Sequence, residues 1–164
     1  MKRIGTALLI LSTVASAAEA AGVKFRLESQ EVDALKAFDA IGDFCGIKDW
    51  HPDVTGCEIG ERDGKQIRTL TLKDGGHMVD RLDAYDKGTL TWVISTIEGP
   101  FPVQWLMAKL SVKPDDEGGA GIKWVGTFEP QAGASEEAAK APIENFYKHG
   151  IEGLFAKLGV KPKS

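Results

Sequence analysis

Two side chains stand out for chemistry. Asp80 sits in Met78-Val79-Asp80-Arg81-Leu82, where the alternation of a strand places it on the same face as Leu82. A carboxyl group desolvated among apolar neighbours holds its proton more tightly and could serve as a proton donor, a base or a polar anchor for a ligand. The same Asp could instead be ion-paired with Arg68 or Arg81, or solvated at a strand edge, and do no chemistry. His51 follows Trp50 and precedes Pro52 at the end of a short helical stretch. It is either an acid–base or polar contact at a cavity mouth, or a cap on that stretch. Asp80 and His51 are therefore the catalytic candidates.

Other chemistries lack their patterns. His77 and His149 have no ligand spacing, and neither a His-Glu-x-x-His nor a paired Cys-x-x-Cys motif occurs, so no metal site is indicated. No Gly-x-Ser-x-Gly elbow and no phosphate-binding glycine loop is present, and no cofactor is expected. Cys45 and Cys57 form either a short-range disulfide or a pair of buried thiols.

The elements that must position these residues follow from periodicity. Val23 to Leu27 reads as a first strand. Val32, Leu35, Phe38 and Ile41 recur at steps of three before Gly42, which predicts a short helix with that buried face. Phe44 to Trp50 predicts a second short helix. From Val54 the period is two, with strands over Val54–Glu61, Gln66–Leu72, His77–Tyr85, Thr89–Ile97, Val103–Val112 and Gly121–Glu129, separated by Gly- and Asp-rich turns. A Ser135 start, Ile143, Phe146, Tyr147, Ile151, Leu154, Phe155 and Leu158 on one face, and a Gly159 stop predict a long C-terminal helix.

This order is an α+β antiparallel meander of about seven strands with two short helices after the first strand and a long helix at the end. A curved sheet closed by one long helix leaves an apolar cavity between them when its core is not filled. If Asp86-Lys87-Gly88 is a three-residue turn with Gly88 left-handed, Leu82 lies opposite Trp92 and Asp80 opposite Ile94. The inward set is then Asp80, Leu82, Trp92, Ile94, Leu106, Ala108, Leu110, Trp124, Gly126 and Phe128, with Lys109, Ser111, Lys123 and Thr127 facing solvent. Trp105 has the opposite parity to Leu106, so it is expected at the surface as a possible partner contact.

The chain has 164 residues, 43% of them hydrophobic and 27% charged, with a net charge of −4. This is ordinary globular composition, and the absence of a basic excess argues against nucleic acid as a partner. Residues 1–20 form a separate segment. Lys2 and Arg3, an uncharged stretch from Ile4 to Ala18 and the small-residue exit Ala18-Glu19-Ala20 make the pattern of a secretory signal peptide, too short for a membrane anchor. Residues 21–164 are then a single domain, periplasmic or secreted, in an oxidising compartment that suits a Cys45–Cys57 disulfide.

Several segments carry a resemblance. Phe44-Cys45-Gly46-Ile47-Lys48-Asp49-Trp50-His51-Pro52, Asp74-Gly75-Gly76, Asp80-Arg81-Leu82-Asp83-Ala84-Tyr85 and Glu98-Gly99-Pro100-Phe101-Pro102-Val103 resemble the START-like helix-grip (SRPBCC) superfamily. The nearest likeness is to its bacterial polyketide cyclase/dehydrase-like branch, and more loosely to exported accessory proteins of methanol oxidation of the MxaD type. Asp80-Arg81-Leu82-x-x-Tyr85 is also similar to the His-Arg-Leu-x-x-Tyr latch of the plant abscisic-acid receptors, with Asp80 in the histidine position, so the receptors' own ligand is not carried over.

The resemblance implies a helix-grip fold and an apolar or aromatic small molecule held between sheet and C-terminal helix. Its contacts would be Trp50, Asp80, Leu82, Trp92, Ile94, Leu106, Trp124, Phe128 and Phe146, and the Gly75-Gly76 turn and the Gly99–Pro102 loop are either gates over the cavity or plain hairpin turns. Two rival functions stand beside this carrier: an accessory protein that assists a periplasmic redox enzyme through a surface patch near Trp105, and a cyclase or lyase that moves protons with Asp80 and His51.

Overall fold

The computed structural model describes residues 20–163. The first nineteen residues, and with them nearly all of the expected signal peptide, lie outside that range. Strand β1 (Ala21–Ser29) leads into helix α1 (Ala34–Ile41), and a single 3-10 turn (Gly46–Asp49) follows. Strands β2 (Val54–Arg62), β3 (Lys65–Leu72), β4 (His77–Asp86), β5 (Thr91–Glu98), β6 (Val103–Pro114) and β7 (Ala120–Pro130) then run as a meander into helix α2 (Glu136–Leu158). All pairings are antiparallel, in the order β1-β7-β6-β5-β4-β3-β2, so β1 returns to pair with β7 at one edge. Four register shifts interrupt the ladders. Bulges of this kind bend and twist a sheet, here so that it curves around α2.

Local signals account for the helices. The Asp33 side chain accepts from the Lys36 backbone N–H and caps α1, while Ser135 accepts from Ala138 and caps α2. Gly159, with φ of 68°, ends α2 in the left-handed conformation that costs glycine least. Pro142 lies inside α2 without ending it. The buried face of α2 comprises Ala139, Ile143, Phe146, Tyr147, Gly150, Ile151, Leu154 and Phe155. It packs on the inner residues of the sheet, where the Tyr147 ring lies parallel to Trp124 at 4.6 Å.

Three expectations are corrected. The α1 face is formed by Ala34, Ala37, Phe38 and Ile41, whereas Leu35 is 57% exposed. The helix starts one turn later than its periodicity suggested, because the Asp33 cap ends the run containing Val32. The β4–β5 turn is longer than three residues: Asp86 pairs with Thr91, and Leu90 rather than Gly88 takes positive φ. The longer turn shifts the register by three residues and the bulge between Leu82 and Ala84 takes one back, so Asp80 faces Thr96 and Leu82 faces Ile94, a two-residue displacement that keeps both on the inner side. Finally, Ser111 is buried, because Leu90 bonds back to Val112 and the turn covers that end of β6.

Candidate functional site

Asp80 is only 2% exposed and fully engaged. Its Oδ2 accepts from Arg68 Nε at 3.0 Å and Nη2 at 2.8 Å, and its Oδ1 accepts from the Thr96 hydroxyl at 2.8 Å. The remaining arm of Arg68, Nη1, donates to the Phe44 carbonyl at 2.6 Å, and the guanidinium lies 4.6 Å from the Phe44 ring centroid. Of the readings left open for Asp80, the ion pair with Arg68 is the one realised. Both carboxylate oxygens already have donors, which leaves little capacity for proton transfer to a substrate. Arg81, the other possible partner, reaches Asp83 instead.

His51 is equally tied down. A carbonyl can only accept, so the 3.0 Å contact from Nε2 to the Phe146 oxygen places the proton on Nε2. A backbone N–H can only donate, so Nδ1 accepts from Asp53 at 3.2 Å. The ring lies 3.9 Å from Phe146 and is buried, and burial pushes its pKa down to about 4. His51 is a neutral pin between α2 and the segment after the 3-10 turn. It caps that segment and also reaches a second element.

Close approach of α2 to this segment depends on glycine. A Cβ on Gly153 would stand 2.0 Å from the Trp50 oxygen, and one on Gly126 would stand 2.6 Å from the Tyr147 hydroxyl. The space between helix and sheet is filled accordingly. Trp50, Trp92, Ile94 and Trp124 border a void of about 10 Å³. Asp80, Ile94, Leu106, Trp124 and Phe146 border another of the same size. Phe128 is fully buried in the core. Around these voids Trp92 Nε1, Trp124 Nε1 and the Tyr147 hydroxyl are buried without a hydrogen-bond partner. An unmet buried donor costs about 1–3 kcal/mol.

The open space lies at the ends. A cleft of about 480 Å³ opens where the β3–β4 and β5–β6 turns meet α2. Pro100, Phe101 and Phe146 form its apolar side with Leu72, and the rings of Phe101 and Phe146 meet edge-on at 5.9 Å. Lys73, Asn145 and the pair His149–Asp53, joined at 2.7 Å, form its polar side. Both turns suspected as gates border it, through Asp74 and through Pro100 and Phe101. A second cleft of about 360 Å³ lies between the α1 corner and β2–β5, bordered by Phe44, Leu82, Tyr85 and Trp92.

Of the nine residues expected to contact ligand, Phe146 thus borders the larger cleft and Leu82 and Trp92 the smaller. Trp50, Asp80, Ile94, Leu106 and Trp124 border only the small voids. Lys73, Asp53, Asn145 and His149 escaped the sequence reading, since each is a solitary polar residue that only the fold brings together. The segment Asp80–Tyr85 lies within β4 and is not a loop over the larger cleft. Trp105 is 40% exposed, donates to Glu129 at 2.9 Å, and has Met107 beside it on the outer face. Cys45 and Cys57 are joined as a disulfide, tying the α1 corner to β2. Among the described residues no group of three or more His, Cys, Asp or Glu could hold a metal, and no helix is long and apolar enough to cross a membrane.

A curved antiparallel sheet wrapped on one long helix, with an apolar cleft where its turns meet that helix, defines the helix-grip class. Residues 27–159 match the family described as polyketide cyclase/dehydrase and lipid transport, and the chain belongs to that family. No curated protein matches the sequence. Among solved structures, the chain is similar to XoxI of Bacillus cereus, with 25% identity and a TM-score of 0.74 over 82% of this chain and 92% of that one. It is also similar to the Zhui aromatase/cyclase of Streptomyces sp. R1128, with 14% identity and a TM-score of 0.71 over 86% and 94% of the two chains. Ara h 8.0201 matches with 21% identity and a TM-score of 0.62 over 84% and 99%. The last two likenesses show the fold alone. Family and fold together suggest a ligand-binding or cyclase-like member of the superfamily.

Proposed function

We propose that this chain is an exported carrier that holds an apolar or aromatic small molecule in the cleft between the β3–β4 turn, the β5–β6 turn and α2. The observation that carries this reading is the cleft itself. It has about 480 Å³ of room, an aromatic side of Phe101 and Phe146, and a separate polar side. Apolar walls with a few polar groups for orientation are the usual make-up of a small-molecule site. On the rim Asp53 is paired with His149, and Asp74 accepts from the Gly76 backbone N–H. Lys73 has no ion-pair partner among the described residues and is the group left to hold an anionic end.

The cyclase or lyase reading loses its two proton carriers, because Asp80 is held by Arg68 and Thr96 and His51 by Phe146 and Asp53. The disulfide supports export, since such bonds persist in oxidising compartments. The accessory reading is favoured by one observation, the adjacent exposure of Trp105 and Met107 on the outer face of β6.

Titration with 8-anilinonaphthalene-1-sulfonate, an anionic aromatic probe, tests the carrier reading. Saturable binding weakened several-fold by Phe101→Ala and by Lys73→Glu is the expected result. Binding unaffected by both substitutions contradicts it.

A further inference from the structure

We infer that the smaller cleft, at the disulfide end of the sheet, is a second ligand site, for a flat, uncharged two-ring aromatic molecule. It is separate from the carrier cleft. Gln66 borders one and Leu72 the other, six residues apart on β3, or about 20 Å along a strand.

Aromatic walls set the class of ligand. The Tyr85 ring lies 4.3 Å from Trp92, and Phe44 stacks on Trp92 at 6.1 Å with an interplanar angle of 11°. Tyr85 and Ile59 at this cleft are 48% and 52% exposed, two of the five large apolar side chains left exposed among the described residues. A flat ring laid against them removes that surface from water. The volume of about 360 Å³ falls at the lower end of small-molecule pockets, which suits two rings.

Asp43 sets the charge requirement. Its carboxylate borders the cleft and disfavours an anion, so an uncharged ring system is selected. The wall is preformed: the Phe44 carbonyl is held by Arg68, and the adjoining Cys45 is bonded to Cys57. Little ordering is left for the ligand to impose.

The test uses 2-acetylnaphthalene and the intact, oxidised protein labelled with ¹³C and ¹⁵N. The expected result is a saturable shift of the Trp92 indole N–H resonance, with intermolecular NOEs from the probe to Tyr85 and Ile59. Tyr85→Ala removes the half-exposed ring that lies over Trp92 and Phe38 and should weaken the affinity by roughly fivefold or more. NOEs only to Phe101 and Phe146 would overturn the second site and leave the carrier cleft standing. An unmoved Trp92 indole at saturating probe, or a Tyr85→Ala variant of unchanged affinity, would also overturn it.

Discussion

Helix α2 rests on the His51 ring because residue 150 has no side chain: a Cβ on Gly150 would stand 2.7 Å from His51 Cδ2 and 2.8 Å from Trp124 Cζ3. His51 and Trp124 are both buried and have nowhere to retreat. Gly150→Ala therefore gains helix propensity but is overpacked, and the net expectation is a loss of about 1–3 kcal/mol. Urea denaturation of the two proteins measures it. A stabilised variant would show that α2 is not seated as described.

Breaking the buried ion pair from one side should cost more. Asp80→Asn leaves the Arg68 guanidinium buried with only the Phe44 carbonyl and a neutral amide. The expected loss is about 3–5 kcal/mol, read from the denaturation midpoint. Replacing both partners, as Arg68→Met with Asp80→Leu, should recover most of it, because the desolvated charges then leave together. If Asp80→Asn folds normally and loses a catalysed reaction instead, the ion pair is not the purpose of Asp80.

His51 makes stability fall in mild acid. Burial lowers its folded pKa from 6.5 to about 4, against an opposing effect of Asp53, while His149 and Arg68 lower it further. Between those two values the unfolded chain binds more protons than the folded one, so stability rises with pH across that window and is lost as pH falls through it. The size is about 3 kcal/mol at most. Thermal unfolding at pH 7.5 and pH 4.5 should show a smaller acid penalty in His51→Gln than in the wild type. Equal penalties would contradict the neutral, buried ring.

The disulfide closes a loop between residues 12 apart and should contribute about 3 kcal/mol by constraining the unfolded chain. The Cys45→Ser, Cys57→Ser double variant should melt several degrees lower. It should respond to dithiothreitol no further, whereas the wild type should drop to the level of the variant.

The architecture was readable because β1, β6 and β7 alternate over much of their length, because Gly- and Asp-rich turns separate the strands, and because both helices carry their caps in the local sequence. What escaped was either one local signal passed over or a contact made elsewhere in the chain. The three-residue step that placed Leu35 on the buried face of α1 ignored the Asp33 cap, which shifts the face to Ala34, Ala37, Phe38 and Ile41. The register of β4 on β5 depends on a longer turn, with Leu90 at φ of 52°, and on the bulge between Leu82 and Ala84 that restores the parity the turn alone would reverse. The contacts that fill the interior rest on Gly126, Gly150 and Gly153, and a glycine that admits a distant ring looks the same in sequence as one that starts a turn. Likewise Asp53, Lys73 and His149 meet at one rim from three elements, with no local spacing to mark them.

A carrier must hold a ligand in its cleft, and native mass spectrometry of the protein purified from its own cell envelope tests this most directly. The spectrum is compared with that of the same sample after denaturation. The carrier account predicts a reproducible mass excess that denaturation removes and that Phe101→Ala reduces. A bare protein mass in every preparation, above all with a second protein bound and released by Trp105→Arg, would contradict it and leave the outer face of β6 as the working surface.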